Sequence, residues 1–168
     1  HFAILARSII SQQISTKAAQ AISGRLIQTL GRRGLKPAAV LALNDEQMRA
    51  AGLSTNKQKS LRDLATKCHA KEVPLKDLAK MNDEDVIEAL IPVRGIGRWS
   101  AEMFMMFRLG RPDILPLGDY SLRKAYAKAF RKRALPSPKA LEKAGEKWRP
   151  YRTVASWYLW RVLDQPPA

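Results

Sequence analysis

Apolar side chains recur at a spacing near 3.6 residues along most of the chain, which is the pattern of amphipathic helices. The longest example runs from Ile9 to Leu30, where the periodic positions are Ile10, Ile14, Ala18, Ala21, Ile22 and Leu26. Glycine, proline and Asn-Asp turns separate shorter helical pieces further on, and strand-like alternation is nearly absent. The pattern predicts an all-α fold, a compact bundle of roughly eight to ten short helices.

Several helix starts are marked by capping residues. Asn82 precedes a run of first-turn acids, and Ser137 is followed by Pro138 at the first helical position. Pro150 is expected to open the last helix. That helix has little polar surface, so we expect it to be buried; its apolar positions are Val154, Trp157, Tyr158, Leu159 and Val162.

Two further helices are predicted after the glycine turn at residues 95–97. In the first, the side chains that fall on one face are Trp99, Met103, Met106 and Phe107. In the second, which begins near Tyr120, an apolar stripe is formed by Leu122, Tyr126 and Phe130. Its other faces are basic.

Composition adds a strong positive charge to this picture. The 168-residue chain has 30 Lys and Arg against 15 Asp and Glu, a net charge of +15, and 46% of its residues are hydrophobic. That apolar fraction excludes a disordered basic tail and suits one compact domain or two small lobes. We expect a polyanionic partner, most often nucleic acid. A membrane surface is a weaker alternative, since no stretch approaches the ~20 apolar residues of a spanning helix.

Cysteine and histidine are too few for a metal centre. Cys68 is the only cysteine, which excludes a disulfide framework and a Cys-ligated zinc or iron–sulfur site. His69 is expected at the surface, at a helix end. The chain starts at His1 with neither a Met nor a signal-peptide pattern, so further residues upstream are expected in the natural protein.

The most informative stretch is LIPVRGIGRWSA at residues 90–101. A helix ends, the chain turns through Gly95 and Gly97, and a second helix begins. Glycine permits the turn and close approach, and unpaired amides at a helix start can bind a phosphate. Ile91 and Ile96 are expected to anchor the two arms in the core. An ordinary helix–helix connection has the same outline, so it is the basic charge of the chain that favours phosphate binding.

Asp119 immediately precedes the basic helix that begins near Tyr120. As an N-cap it would accept from a first-turn amide and interact favourably with the helix dipole. A capping carboxylate is also rigidly held, which suits a catalytic group. The two roles therefore do not exclude each other.

Three segments together resemble the helix-hairpin-helix (HhH-GPD) DNA glycosylases, and within them the AlkA-like 3-methyladenine branch. They are IISQQIS at 9–15, GIGRWSA at 95–101 and LPLGDY at 115–120, and the match spans nearly the whole chain. The resemblance implies one glycosylase domain over residues 1–168, with two lobes flanking an active-site cleft. The middle lobe would comprise about 16–118, and the terminal-helix lobe about 1–15 plus 119–168.

By this resemblance Asp119 is the essential aspartate. It would stabilise the cationic sugar that develops as the glycosidic bond breaks, and help to orient the attacking water. Alkylated purines such as 3-methyladenine are cationic leaving groups that need little acid assistance, so one carboxylate can suffice. Gly118 departs from the family, many of whose members carry an acid there, which leaves the rate and specificity open.

Trp99, Tyr120 and Trp160 match aromatic positions of the family's base pocket, where π-faces stack on an extruded base. Met103 replaces an aromatic residue, so the substrate range stays open, and Trp160 could equally be ordinary core packing. In strand-nicking relatives a lysine nucleophile follows the Gly-x-Gly-Arg run. Trp99 stands at that position, so no lyase activity is expected.

The resemblance also implies how DNA is held. Gln13 matches the residue that fills the gap left by the flipped base, beside Gln12, although both amides could simply cap local backbone. Contacts to the DNA backbone are expected from Gly95, Ile96, Gly97, Arg98, Ser100, Arg123 and Lys124. The hairpin could also bind a monovalent cation, sodium or potassium, through the carbonyls of Ile91, Val93 and Ile96. No iron–sulfur cluster is expected.

The sequence therefore predicts a monofunctional hydrolase that flips alkylated purines out of double-stranded DNA and leaves an abasic site for base excision repair. We expect a monomer without a membrane partner, cytoplasmic and nucleoid-associated in a bacterium, or nuclear in a eukaryote. Two alternatives stay open. One is a non-catalytic hairpin module, which would have no use for an acid near phosphates, and the other is a glycosylase for mismatched or oxidised bases.

Overall fold

The computed structural model describes residues 1–164. Within them there is no strand, and the helices are α1 (Phe2–Ser11), α2 (Thr16–Leu30), α3 (Pro37–Leu41), α4 (Asp45–Ala50), α5 (Thr55–His69), α6 (Asp83–Leu90), α7 (Arg98–Phe104), α8 (Tyr120–Ala129), α9 (Pro138–Gly145) and α10 (Arg152–Asp164). Short 3₁₀ turns follow α2 and α9, and the π-helical turn Met105–Leu109 follows α7. The predicted all-α class is confirmed.

Two compact units make up the chain, His1–Phe104 and the part from Met105 onward. The first unit includes α1, which packs against α2 and α5. This division differs from the two lobes expected from the sequence, where residues 1–15 accompany residues 119–168, and that grouping stays a prediction. No helix among residues 1–164 is both long and apolar enough to cross a membrane.

The first unit is built around α5, which packs against α3 and α1. Its fully buried side chains include Leu61, Leu64 and Ala65. At the start of α6, Asn82 Oδ1 accepts the Asp85 amide at 2.9 Å, so the predicted cap is confirmed.

The apolar pattern over Ile9–Leu30 is divided between two helices in the structure. The chain turns between α1 and α2 at Gln13, whose φ is +58°. Ser15 then caps α2, because its hydroxyl accepts the Ala18 amide at 3.2 Å. Ile14, one of the periodic positions, therefore lies in the turn and not in a helix, and it is 37% exposed. The periodicity could not show this break, because apolar spacing continues across it.

The core of the second unit lies among α8, α9, α10 and the segment before α8. Its buried members are Leu115, Leu122, Ala125, Tyr126, Leu141 and Leu159. A Cβ added to Gly145 would clash with Leu115 Cδ2, so α9 packs against this core at a residue without a side chain. Ser137 caps α9 and Pro138 occupies its first position, as predicted.

The last helix differs from its prediction. It begins at Arg152 rather than at Pro150, and along it only Ser156 and Leu159 are buried. Large exposed fractions, 47%, 43% and 63%, are found for Val154, Trp157 and Tyr158. One face of α10 packs against α8. A helix can therefore carry apolar residues on every face while another helix covers only one of those faces.

Candidate active site

The turn between α6 and α7 is a tight hairpin with exposed glycines. Gly95 has a φ of +81°, and a Cβ there would lie 3.0 Å from Ser60 Oγ, so both the conformation and the space favour glycine. Gly97 has no atom within 4 Å of the place a Cβ would occupy. It is exposed immediately before α7. The backbone at this helix start is therefore accessible from solvent.

One of the two residues expected to anchor the hairpin in the core is buried there, and the other is exposed. Ile96 is buried as predicted, and its amide donates to the Val93 carbonyl at 2.9 Å. Ile91, the expected anchor of the other arm, is 47% exposed, so that prediction is wrong. Because α6 ends at Leu90, Ile91 lies beyond the buried face of the helix, and Val93 is buried instead.

Two side chains from neighbouring segments hold the hairpin backbone. Gln12 Nε2 donates to the Gly95 carbonyl at 2.7 Å, and Asp63 Oδ2 accepts the Arg94 amide at 2.7 Å. Burial acts to raise the pKa of Asp63, but hydrogen bonds from Lys67 and Arg94 outweigh it and keep the pKa below its usual value. Asp63 is therefore ionised at neutral pH. Gln12, expected to contact DNA, uses its amide within the protein.

Arg98, the first residue of α7, is paired with acids. Its guanidinium donates to both carboxylate oxygens of Glu84, at 2.8 and 2.9 Å, and its Nε lies 3.3 Å from Glu102 Oε1. The hydrogen bond between Arg98 and Glu84 raises the pKa of the arginine and lowers that of the glutamate. Since these carboxylates compete with a phosphate for the same donors, Arg98 is a weaker candidate for a DNA contact than its charge suggests.

Three other predicted site residues of the first unit lie on α7. Trp99 is 49% exposed, so part of its indole is accessible from solvent. Met103, one helical turn further, is half-buried. Ser100 is half-buried as well. The pocket role of Trp99 and Met103 and the DNA contact of Ser100 stay predictions.

Asp119 is the N-cap of α8. Its Oδ1 accepts the Leu122 amide at 2.6 Å, and Trp160 Nε1 donates to the same oxygen at 3.4 Å. Asp119 is buried, with 9% exposed. The structure thus confirms the capping role and brings Asp119 into contact with Trp160, a predicted pocket residue 41 positions later. The carboxylate is held by two donors, as a catalytic group needs to be.

The Phe107 ring lies beside that of Trp160, although the sequence predicts that it shares a helical face with Met106. It is 63% exposed, with its ring centroid 6.3 Å from that of Trp160 and the planes inclined by 33°. The helical pattern predicts a shared face with Met106, which is buried. The prediction is wrong because the π-helical turn Met105–Leu109 changes the rotation between successive residues. No sequence signal marks this turn, although such turns are frequent at functional sites.

The start of α8 carries the remaining predicted residues of the second unit. Tyr120 is 64% exposed. Arg123 Nε donates to the Pro136 carbonyl at 2.7 Å, so this side chain secures the turn before α9. Lys124 is exposed on α8. Of the two basic residues of α8 that are expected to contact phosphate, Lys124 is therefore the better placed.

The described residues offer no cluster of side-chain metal ligands. Among residues 1–164, no three His, Cys, Asp or Glu side chains form a group that could hold a metal ion. Burial raises the pKa of Cys68 to about 11, so it is a protonated thiol at neutral pH. His69 is exposed at the end of α5, as predicted.

Known proteins share both the sequence and the fold. Residues 6–150 match the HhH-GPD superfamily base excision DNA repair protein family. Over 161 residues the chain is 36% identical to DNA-3-methyladenine glycosylase 1 of Schizosaccharomyces pombe, covering 94% of this chain and 70% of that protein.

Two solved structures are similar over nearly the whole chain. A DNA-3-methyladenine glycosidase from Bacillus halodurans is 38% identical with a TM-score of 0.89, over 96% of this chain and 74% of that one. The Schizosaccharomyces pombe 3-methyladenine DNA glycosylase Mag1, in complex with abasic DNA, is 34% identical with a TM-score of 0.82. The match covers 98% of this chain and 81% of that chain. The chain therefore belongs to the HhH-GPD superfamily of base excision DNA repair proteins.

Proposed function

We propose that the protein is a monofunctional DNA glycosylase that removes alkylated purines, such as 3-methyladenine, from double-stranded DNA and leaves an abasic site. Asp119 carries the proposal: a buried carboxylate held by two donors, in a chain with a net charge of +15. A protein that only bound DNA would gain from losing an acid near phosphates. Relatives named as 3-methyladenine glycosylases support this substrate class.

The chemistry follows from a fixed negative charge beside the breaking bond. As the bond between the sugar C1′ and the base nitrogen breaks, its electron pair leaves with the base and positive charge develops on the sugar. Asp119, already oriented by the Leu122 amide and the Trp160 indole, stabilises that charge without reorganising. Water then adds to C1′ and loses its proton, with the same carboxylate as the nearby base.

The leaving group explains why one carboxylate is enough. A 3-methyladenine base is cationic while attached, so it takes the electron pair and leaves as a neutral molecule. No acid needs to protonate it. Gly118, where many relatives carry a second acid, is compatible with this simpler reaction.

Each of the two units offers aromatic side chains for stacking on the flipped base. An electron-poor alkylated ring is attracted to the π-face of an indole or phenol ring. Trp99 and Tyr120 are 49% and 64% exposed and so are accessible for stacking. In the second unit, Trp160 contacts Asp119 directly and Phe107 extends its aromatic surface. In the first unit, Met103 lies one helical turn after Trp99 and contributes an adaptable apolar side chain.

DNA would be held by the exposed backbone of the hairpin and by Lys124. The amides near Gly95 and Gly97 offer donors to a phosphate, and Lys124 offers a charge. Gln13 lies exposed in the turn between α1 and α2, with its backbone in a left-handed conformation. A single polar residue presented in this way suits the role of filling the gap left by the flipped base.

A monovalent cation is compatible with the hairpin. Carbonyl oxygens are hard donors of the kind that Na⁺ or K⁺ prefers, and Ile91, Val93 and Ile96 would supply them. The Val93 carbonyl accepts the Ile96 amide at 2.9 Å and keeps a second lone pair for an ion. The ion would add positive charge beside a bound phosphate.

The absence of lyase activity is proposed from Trp99. A strand-nicking enzyme needs an amine that forms an imine with the sugar, and an indole nitrogen does not react in this way.

The protein would act as a monomer wherever the DNA is, in the nucleoid of a bacterium or the nucleus of a eukaryote.

Base release from oligonucleotide duplexes tests the proposal. Duplexes containing 3-methyladenine or 1,N6-ethenoadenine are compared with undamaged, mismatched and oxidised-base duplexes. We expect release of alkylated purines, strand cleavage only after alkali, and no adduct trapped by borohydride. Binding without release would instead establish a DNA-binding module. Release confined to mismatched or oxidised bases would overturn the substrate class, and a trapped adduct would overturn the monofunctional assignment.

A further inference from the structure

Residues 110–118 form no helix, and they lead directly to Asp119. The first part of this segment is tied to the start of α10 by Thr153. The Pro112 carbonyl accepts the Thr153 amide at 2.9 Å, and the Arg111 carbonyl accepts the Thr153 hydroxyl at 2.7 Å. The Ile114 amide donates to the same hydroxyl at 3.0 Å. One residue therefore satisfies three backbone groups that the segment cannot satisfy within a helix.

Arg152, the neighbour of Thr153, makes a charged contact with the same segment. Its Nε donates to Asp113 Oδ1 at 2.6 Å, and its Nη2 donates to Oδ2 at 2.9 Å and to the Asp113 carbonyl at 2.8 Å. The two side chains are only 14% and 24% exposed, so the pair is screened less than a surface ion pair. Arg149 Nη1 adds a further bond to Asp113 Oδ2 at 2.7 Å.

The same helix also contacts the residue at the end of the segment. Trp160 lies about 12 Å further along α10 than Arg152, given the rise of a helix, and its indole donates to Asp119 Oδ1 at 3.4 Å. One rigid helix thus contacts residues 111–114 at one point and Asp119 at another. The intervening residues 114–116 are buried.

From these contacts we propose that Thr153, Arg152 and Asp113 are positioning residues for Asp119. They fix the start of the segment against α10, and so hold the Asp119 carboxylate at one distance from Trp160. This inference rests on the catalytic role proposed for Asp119. Burial of apolar residues alone would keep the segment in place without fixing a carboxylate oxygen, and a misplacement of about 1 Å can cost about 10²-fold in rate.

Thr153→Val is the decisive variant, because it keeps the shape of the side chain and removes the hydroxyl. Thr153→Ser restores the hydroxyl, and Thr29→Val is the matched control, since the Thr29 hydroxyl donates to the Arg25 carbonyl at 3.0 Å in the first unit. We expect Thr153→Val to slow single-turnover base release by about tenfold to a hundredfold, with a nearly unchanged Kd for the duplex. The other two variants should stay close to the parent rate. A parent-like rate in Thr153→Val, with only a lower Tm, would overturn the proposal.

A double-mutant cycle shows whether the effect passes through Asp119. In the Asp119→Asn background, Thr153→Val should slow the residual reaction no further, because the group that it positions is gone. A loss that persists in full in this background would place the effect elsewhere and contradict the proposal.

A readout independent of catalysis separates this proposal from the proposed function. The indole N–H signal of Trp160, assigned with Trp160→Phe, reports its bond to Asp119 in ¹⁵N–¹H NMR spectra. We expect the signal to shift or broaden in Thr153→Val and to stay in place in Thr153→Ser. An unchanged signal in Thr153→Val would overturn the positioning role. If the parent protein released no base while the signal shifted as expected, the function would be wrong and the positioning would stand.

Discussion

Replacing Asp119 by asparagine separates the two roles of one carboxylate. The asparagine Oδ1 can still accept the Leu122 amide, which donates to Asp119 at 2.6 Å, and asparagine is about as good an N-cap as aspartate. The interaction of the charge with the helix dipole is lost, and it contributes about 0.3–1 kcal/mol. For a domain of this size the Tm should therefore fall by at most about 4 °C.

The rate should fall much further than the stability. Two unit charges about 4 Å apart at an effective dielectric of about 20 interact by about 4 kcal/mol. Asp119 is 9% exposed, so solvent screens the interaction little. Because each ~1.4 kcal/mol of transition-state stabilisation is worth tenfold in rate, Asp119→Asn should slow base release by about 10³-fold.

Asp119→Ala completes the comparison, because it removes the cap as well as the charge. It should lose a further ~0.5–2 kcal/mol of unfolding free energy, and hence show a lower Tm than Asp119→Asn at a similarly low rate. Single-turnover release from an alkylated duplex and thermal melting measure the two effects. If Asp119→Asn kept a rate within about tenfold of the parent, the electrostatic argument would be refuted. Equal losses of Tm in both variants would refute the capping argument.

Three other changes test the hairpin and the segment before α8. Gln12→Ala removes a donor to a hairpin carbonyl, so affinity for a duplex, measured by anisotropy titration, should weaken about two- to tenfold, the value of one hydrogen bond. Glu84→Gln releases the Arg98 guanidinium from a carboxylate. If Arg98 then contacts a phosphate, affinity for the duplex should rise, and the slope of log Kd against log salt concentration should increase by about one. Burial acts to raise the pKa of Asp113, but bonds and charge from Arg152 outweigh it and lower the pKa. Because the pKa of Asp113 is lower in the folded state, ionised Asp113 stabilises the fold. This contribution is complete above the unfolded-state pKa of about 3.9 and is lost as pH falls through the folded-state pKa. The parent Tm should therefore fall more steeply over that range than the Tm of Asp113→Asn.

Local features of the fold could be predicted because their causes lie within a few residues. The caps at Asn82 and Ser137 bond to amides three positions away, and Gly95 adopts a turn conformation that disfavours other residues. The same locality makes the hairpin and the Asp119 segment recognisable as motifs. The all-α class, the family and the cap at Asp119 were therefore accessible from the sequence.

Burial of particular faces was less predictable. Periodicity states which residues share a helical face, but not whether another element covers that face. Ile91 and Tyr158 are exposed for this reason, although both belong to apolar patterns. Phe107 is exposed because a π-helical turn changes the rotation, and no residue type marks such a turn.

By itself, the sequence determined the helical class, the helix caps and the motifs of a base excision repair family, because each depends on neighbours along the chain. Only the tertiary structure decided which partners the charged and aromatic groups have. The Arg98 guanidinium is bound by Glu84, and the loop before Asp119 is held by Thr153. Such contacts join residues 14 to 42 positions apart, whose approach depends on how whole helices pack and not on any local pattern.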